Sequence, residues 1–285
     1  MSNPISGICT ENLTMQFKQV QALEDVSVCF GGNQIYGLLG RNGAGKTTLL
    51  NIITNRMIPS SGRVLIDGEP AFENDRALEK VYYMGEKTFV PDTGRVEQFF
   101  NWTRSFYPNF QMEEANRLAD AFGLNRKQKL KNLSTGYTTI VKLIAALASG
   151  TPYVLFDEPV LGLDANHREL FYRELISNYS TMPRTIVIST HLIEEIADII
   201  EQVVIIKNGR ILLDQSAEEV RRMGYSVSGK AAAVDLYCEG KNLLDTETLG
   251  GLKTASLLGS PDDVPEGLEV TPLDLQKLFI RLTNA

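Results

Sequence analysis

The chain has 285 residues, 43% of them hydrophobic, and a formal net charge of −7; it exceeds one typical domain and falls short of two large ones, so a main domain with an appendage is expected. The acidic balance gives no global pull toward nucleic acid, and the basic run Arg126-Lys127-Gln128-Lys129-Leu130-Lys131 reads as a solvated helix end. No apolar run approaches the roughly 18 residues that cross a bilayer, and Met1 to Ser6 lack a signal peptide's charged and apolar regions, so a soluble chain that meets a membrane only through a partner is expected.

Residues 5 to 39 read as strands: Ile8 to Leu13, then Val26 to Phe30 after the turn-like Glu24-Asp25, then Gln34 to Leu39 after Gly31-Gly32-Asn33. Cys9, Cys29 and, much later, Cys238 are odd in number, far apart and without metal-ligand spacing. That usage suits thiols in a reducing, cytoplasmic compartment. The third strand feeds Gly40-Arg41-Asn42-Gly43-Ala44-Gly45-Lys46-Thr47-Thr48, a complete phosphate-binding loop, and Leu49-Leu50-Asn51-Ile52-Ile53 then starts a helix. Glycines let the backbone aim its N–H groups at phosphate oxygens, Lys46 reaches the terminal phosphates, and the Thr47 hydroxyl ligates Mg²⁺.

Arg63 to Gly68 adds a strand and a turn. From about Gly94 to Gly150 the spacing becomes helical, with Met112 to Gly123 carrying apolar residues three and four apart, which predicts a helical insertion in an α/β domain. Within it Leu133-Ser134-Thr135-Gly136-Tyr137 opens a helix running through Leu147, and Ser134 caps it either as an ordinary cap or as part of an anion site. Tyr153-Val154-Leu155-Phe156 and Thr185-Ile186-Val187-Ile188-Ser189 are continuous apolar runs suited to buried parallel strands. The first ends in Asp157-Glu158-Pro159, which places Asp157 to hold Mg²⁺ through water and Glu158 to polarise an attacking water.

Val203 to Ile206 and Arg210 to Leu213 read as a hairpin joined by Lys207-Asn208-Gly209, and a boundary falls near residue 216. The tail predicts helices at Ala217 to Met223 and Ala231 to Glu239, a strand at Tyr225 to Val227, and a hairpin around Gly250-Gly251. Thr271-Pro272-Leu273-Asp274 predicts a last helix capped by the threonine, with proline at its first position and Leu275, Leu278, Phe279 and Leu282 on one face.

Taken in order, Gly40 to Thr48, Met84-Gly85-Glu86, Leu133 to Tyr137, Tyr153 to Pro159, Leu161-Gly162-Leu163-Asp164 and Ser189-Thr190-His191 resemble the motifs of ATP-binding-cassette (ABC) ATPases over residues 5 to about 215. They correspond to the phosphate loop, glutamine loop, LSGGQ-like signature, Asp-Glu strand, D-loop and switch histidine. The resemblance implies an α/β P-loop NTPase cassette with a RecA-like core, an antiparallel β-subdomain, a helical subdomain at about 94–150, and a small C-terminal α+β accessory domain at 216–285. It implies ATP and Mg²⁺ as ligands, with Gly40, Arg41, Asn42, Gly43, Ala44, Gly45, Lys46, Thr47 and Thr48 around the phosphates and Thr47, Glu86 and Asp157 toward the metal. Glu158 becomes the catalytic base, and His191, otherwise a core histidine, contacts the γ-phosphate. Phe17 matches the aromatic that stacks on adenine, although a strand-end phenylalanine is equally often core. Ser134, Gly136 and Asp164 would complete the ATP site of a second cassette. His167 matches none of these positions and is expected at the surface.

Two departures stand out: Glu86 replaces the usual glutamine, and Thr135 and Tyr137 replace members of the signature. In the family, the region holding Phe99-Phe100-Asn101-Trp102 to Phe110 borders the groove for a membrane subunit's coupling helix. The signature with Thr138 to Lys142 and the tail resemble ATP subunits of ABC-2-type exporters of Gram-positive bacteria, including those for amphipathic peptides such as phenol-soluble modulins. This implies an ATPase held peripherally on the inner face of the cell membrane, paired with an integral permease and a second cassette, with no nucleic acid expected. The alternative is a soluble ABC ATPase acting on ribosomes or nucleic acid.

Overall fold

The computed structural model describes residues 6–284 apart from 87, 89 and 92; Ile5, the expected start of the strand region, lies outside the described residues. β1 (Gly7–Phe17) and β2 (Val20–Gly31) pair antiparallel and run longer than their apolar alternation predicts. Glu24-Asp25 is not a turn but lies inside β2, where a bulge absorbs the polar residues. Asn12 and Asp25 both take left-handed φ (50° and 51°) and bond each other at 2.7 Å, and the Asp25 N–H donates to Thr14 Oγ1. β3 (Ile35–Leu39) is wholly buried and leads into α1 (Lys46–Ile53); β4 (Ser61–Ile66) and β5 (Glu69–Pro70) complete a four-stranded antiparallel sheet, order β2-β1-β4-β5.

α2 (Asp75–Leu78), capped by Asn74, precedes β6 (Val81–Met84). Three helices then stand together: α3 (Val96–Phe106), α4 (Met112–Ala121) and α5 (Thr135–Leu147). Their shared face is apolar, with Phe100, Ala115, Leu118, Val141 and Ile144 fully buried. The basic run 126–131 ends in a turn of 3₁₀ helix between α4 and α5, and Arg126 pairs with Asp120.

β7 (Tyr153–Asp157), α6 (Ala165–Thr181), β8 (Thr185–Thr190), α7 (Ile193–Ile196), β9 (Gln202–Lys207) and β10 (Arg210–Ser216) complete the central sheet, order β10-β9-β3-β8-β7-β6. All neighbours are parallel except β9 and β10. Strands buried on both faces are largely apolar, which is why residues 153–156 of β7 and 186–188 of β8 read as continuous runs, with polar residues only toward the strand ends. Register places Leu39 beside Thr190, Asp157 beside Ser189 and Met84 beside Phe156. The carboxyl ends of four parallel strands therefore meet at one edge, where ligands of open α/β sheets bind.

In the tail α8 (Ala217–Arg222) is followed by β11 (Gly224–Lys230), α9 (Ala231–Cys238), β12 (Leu243–Leu249), β13 (Leu252–Leu258), β14 (Glu269–Pro272) and α10 (Leu275–Asn284). The strands form an antiparallel sheet, order β12-β13-β11-β14, with its own small core of Tyr225, Val227, Val234, Tyr237, Ala255 and Leu257. Thr271 and Pro272 do not start the last helix: they pair with β11 in β14. Asp274 is the residue whose carboxylate accepts from the Gln276 and Lys277 N–H groups. Strand pairing thus outcompetes a local helix-start signal. α10 does not join the small core, because Leu275, Leu278 and Phe279 pack into the main one.

The cysteine reading is also corrected. Cys9 and Cys29, distant in sequence, stand opposite each other across β1 and β2 and form a disulfide, leaving Cys238 as the free thiol. A thiol-alkylating reagent in denaturant should add one label per unreduced chain and three after reduction; three labels without reductant would show the pair to be open.

Candidate functional site

The phosphate loop joins β3 to α1, and sterics fix its shape. Gly45 has φ 114°, and a Cβ there would lie 2.7 Å from the Ala22 carbonyl of β2. Only glycine satisfies both constraints. Lys46 opens α1 but is buried, its ammonium donating to the Gly40 carbonyl at 2.6 Å and lying 3.6 Å from Glu158 Oε1. Burial pushes Lys46 below the usual lysine range, and the Glu158 and Asp157 carboxylates pull it back. Thr47 is exposed and Thr48 half-buried at the same helix start, while Arg41, Asn42 and Gly43 form the open lip over buried Ala44.

At the end of β7, Asp157 is buried and accepts hydrogen bonds from Ser189 Oγ at 2.9 Å and from the Tyr83 hydroxyl at 3.2 Å. Glu158 follows with φ 51°, a left-handed conformation uncommon outside glycine and asparagine. Its N–H donates to the Ser189 carbonyl, so the strain is held by β8. The turn brings Glu158 within 3.0 Å of His191 Nδ1 and 3.3 Å of Thr190 Oγ1. The His191 side chain is 40% exposed, so it is not a core histidine. Lys46, Asp157, Glu158 and His191 therefore share one edge of the sheet.

Glu86 follows β6 onto the same edge with its side chain exposed. A cavity of about 430 Å³ is lined by Glu86, Lys142, Glu158, Thr135 and Gly162. Ser134 caps α5 by accepting from the Tyr137 N–H, and Gly136 sits against the Gly162 carbonyl. Asp164 caps α6, bonding the His167 N–H at 3.0 Å and its ring at 2.8 Å. His167 is accordingly half-buried, stacked toward Phe122, not a plain surface residue. Phe17 is 42% exposed at the end of β1, so it is not core.

Three contributors were given no role by sequence reasoning. Tyr83 holds Asp157, its phenol kept protonated by burial and by that carboxylate, with the Arg56 guanidinium 4.6 Å over its ring. Thr190 buttresses Glu158. Lys142, in mid-helix, donates to the Glu86 carbonyl at 2.7 Å. An inward tyrosine one residue before the end of a parallel strand was the available signal for the first; the other two had none.

These residues fit Mg²⁺ and a triphosphate. Among the described residues no cluster of three or more His, Cys, Asp or Glu could cage a metal, and Mg²⁺ ordinarily takes one or two protein ligands plus phosphate oxygens and water. The exposed Thr47 hydroxyl and the Asp157 carboxylate supply such a pair. The Gly43 lip is open, with nothing within 4 Å of where a Cβ would stand.

Known proteins agree. The ABC transporter family profile matches residues 23–161. The ABC transporter ATP-binding protein YtrB of Bacillus subtilis is 29% identical over 272 residues, covering 91% of this chain and 92% of its own. A taurine import ATP-binding protein, TauB of Roseobacter denitrificans, is 30% identical over 73% of this chain and 81% of its own. A solved ATP-binding subunit of an ABC transporter superposes with TM-score 0.69 at 23% identity, covering 76% of this chain and 92% of that one, and shares the cassette fold. Among the described residues no helix is long and apolar enough to cross a membrane. With its phosphate loop, Asp157-Glu158 pair and His191 gathered at one sheet edge and these relatives beside it, the chain belongs to the ABC transporter family as an ATP-binding subunit, an ATPase that works on ATP with Mg²⁺.

Proposed function

We propose that this subunit energises export of peptides across the cytoplasmic membrane, lying on its inner face against a separate integral permease and closing on a second cassette. Residues 5–215 form the ATPase and 216–285 an accessory domain. Phe17 stacks on adenine, the loop from Gly40 to Thr48 cradles the phosphates, and Lys46 leaves the Gly40 carbonyl for the terminal phosphates. Thr47, Glu86 and Asp157 would hold the metal, which when bound would neutralise negative charge on the phosphates. Glu158 takes the proton of the attacking water, and His191 holds it in place and reports the γ-phosphate. Ser134, Gly136 and Asp164 of one cassette close over the ATP of the other, so nucleotide acts as glue and its loss lets the two part.

The observation that carries coupling to a membrane protein is the outer face of α3, where Phe106 is 76% and Trp102 41% exposed. Large apolar groups left in water mark a docking surface. Direction and cargo rest on the signature and tail resemblance alone; the YtrB alignment, extending over 91% of the chain, supports a tail shared with another ABC transporter ATP-binding protein, and the taurine importer is the competing direction. A tagged chain should copurify in mild detergent with an integral membrane protein encoded nearby, and Phe106→Asp should lose that partner while keeping ATPase. Recovery with salt-washed ribosomes would instead support the soluble reading. Inside-out vesicles holding both subunits should take up a labelled amphipathic peptide only with ATP; no uptake, with ATPase indifferent to peptide, would sink peptide as cargo.

A further inference from the structure

Among the described residues two lysines are buried, Lys46 in the phosphate loop and Lys142 in the middle of α5. Burying an ammonium costs several kcal/mol unless it is paired, so a buried lysine outside the known motifs calls for a cause. Lys142 donates to the Glu86 carbonyl at 2.7 Å and reaches the Gly85 carbonyl at 3.4 Å. It thereby clips the loop after β6 onto the helix that Ser134 caps and whose first turn carries Gly136. The same cavity admits Glu86 and Glu158 with Lys142. Where a glutamine would be neutral, Glu86 adds a negative charge to the cavity that Glu158 also lines. Like charges sharing one cavity repel each other unless a cation offsets them.

Resting on the ATP-site reading above, we propose that Lys142 is a positioning residue for hydrolysis: its ammonium fixes Gly85-Glu86 by their carbonyls and offsets the charge that glutamate brings to this position. Glu86 and Lys142 then form one unit, the unusual carboxylate being workable because the helix supplies a buried cation beneath it. The clip also ties the helix of the signature to the edge that holds Glu158. Movement of one is transmitted to the other through two carbonyl bonds.

A double-mutant cycle on the full chain tests this. Lys142→Met should lower kcat about tenfold with KM for Mg-ATP changed less than about twofold, and Lys142→Arg should recover most of the loss. In a Glu86→Gln background, Lys142→Met should cost less than about threefold. Hydrogen exchange in the nucleotide-free protein should quicken in the peptide carrying Gly85 and Glu86 when Lys142 is replaced. Equal losses in both backgrounds, or no loss in either, overturn the proposal. If Lys142→Met fails to fold, Lys142→Gln gives the same comparison. Glu158→Gln is assayed alongside: if it still turns over ATP the site reading itself fails, whereas a dead Glu158→Gln with a flat cycle removes only the role of Lys142.

Discussion

Glu158→Gln is expected to cut ATP turnover by about 10²- to 10⁴-fold, the range lost when a positioned general base is removed, while ATP binding is kept. The amide keeps the shape of the carboxylate and its bond to Thr190, but it cannot accept a proton. Glu158 in the wild type lies 3.0 Å from His191 Nδ1 and 3.6 Å from Lys46, so both groups are already aimed at the base. The substitution also removes a negative charge from beside the triphosphate. The nucleotide-bound, closed pair of cassettes should therefore outlive its normal lifetime, and light scattering after size exclusion should show a dimer with Mg-ATP and a monomer with ADP. Undiminished phosphate release, or a monomer in ATP, would remove Glu158 from the role of base.

How much of this was legible in the sequence follows physical range. The phosphate loop and the Asp157-Glu158 pair were readable because each is a local pattern whose backbone requirement shows in residue type, glycine in one case and an apolar strand ending in carboxylates in the other. The parallel strands were equally plain, since residues 153–156 of β7 and 186–188 of β8 are buried, unbroken apolar runs. What failed depends on register between segments. Cys9 and Cys29 meet only because β1 and β2 pair as they do, and Thr271-Pro272 is drawn into β14 by β11. Glu24-Asp25 looked like a turn because bulges use turn residues too. The left-handed backbone at Glu158 was invisible as well, because it is imposed by the Ser189 carbonyl from a neighbouring strand. Lys142 lies furthest from sequence reasoning: a lysine in a helix is ordinarily solvent-facing, and only the packed structure shows which loop it grips.

Arg184→Ala is expected to be the most destabilising single change, by about 3–5 kcal/mol. Arg184 is 2% exposed and precedes β8, and its guanidinium donates to the Leu147 carbonyl and Asn178 Oδ1 at 2.7 Å each, with Ser149 Oγ at 3.4 Å. Those partners end α5 and line α6, and Asn178 in turn reaches Glu114 of α4 at 3.4 Å. Arg117 carries the network on, bonding Glu174 of α6 at 2.7 Å. Burial pulls the Arg184 pKa down to about 10, with Glu114 acting to raise it, so it stays charged at neutral pH. Truncation would strand the Leu147 carbonyl and the Asn178 side chain without donors and leave a void, two penalties that add. The midpoint of thermal unfolding should fall by roughly 6–20 °C at about 2–4 °C per kcal/mol for a chain of this size. Arg184→Lys should recover less than half of that, because one ammonium cannot span both acceptors in the fork geometry of a guanidinium. Since the network joins the far end of the signature helix to the catalytic sheet, limited proteolysis should also cut first between α4 and α5 in the alanine variant. A thermal midpoint within about 2 °C of wild type would show that the surrounding packing, and not the guanidinium, holds the helical part to the sheet.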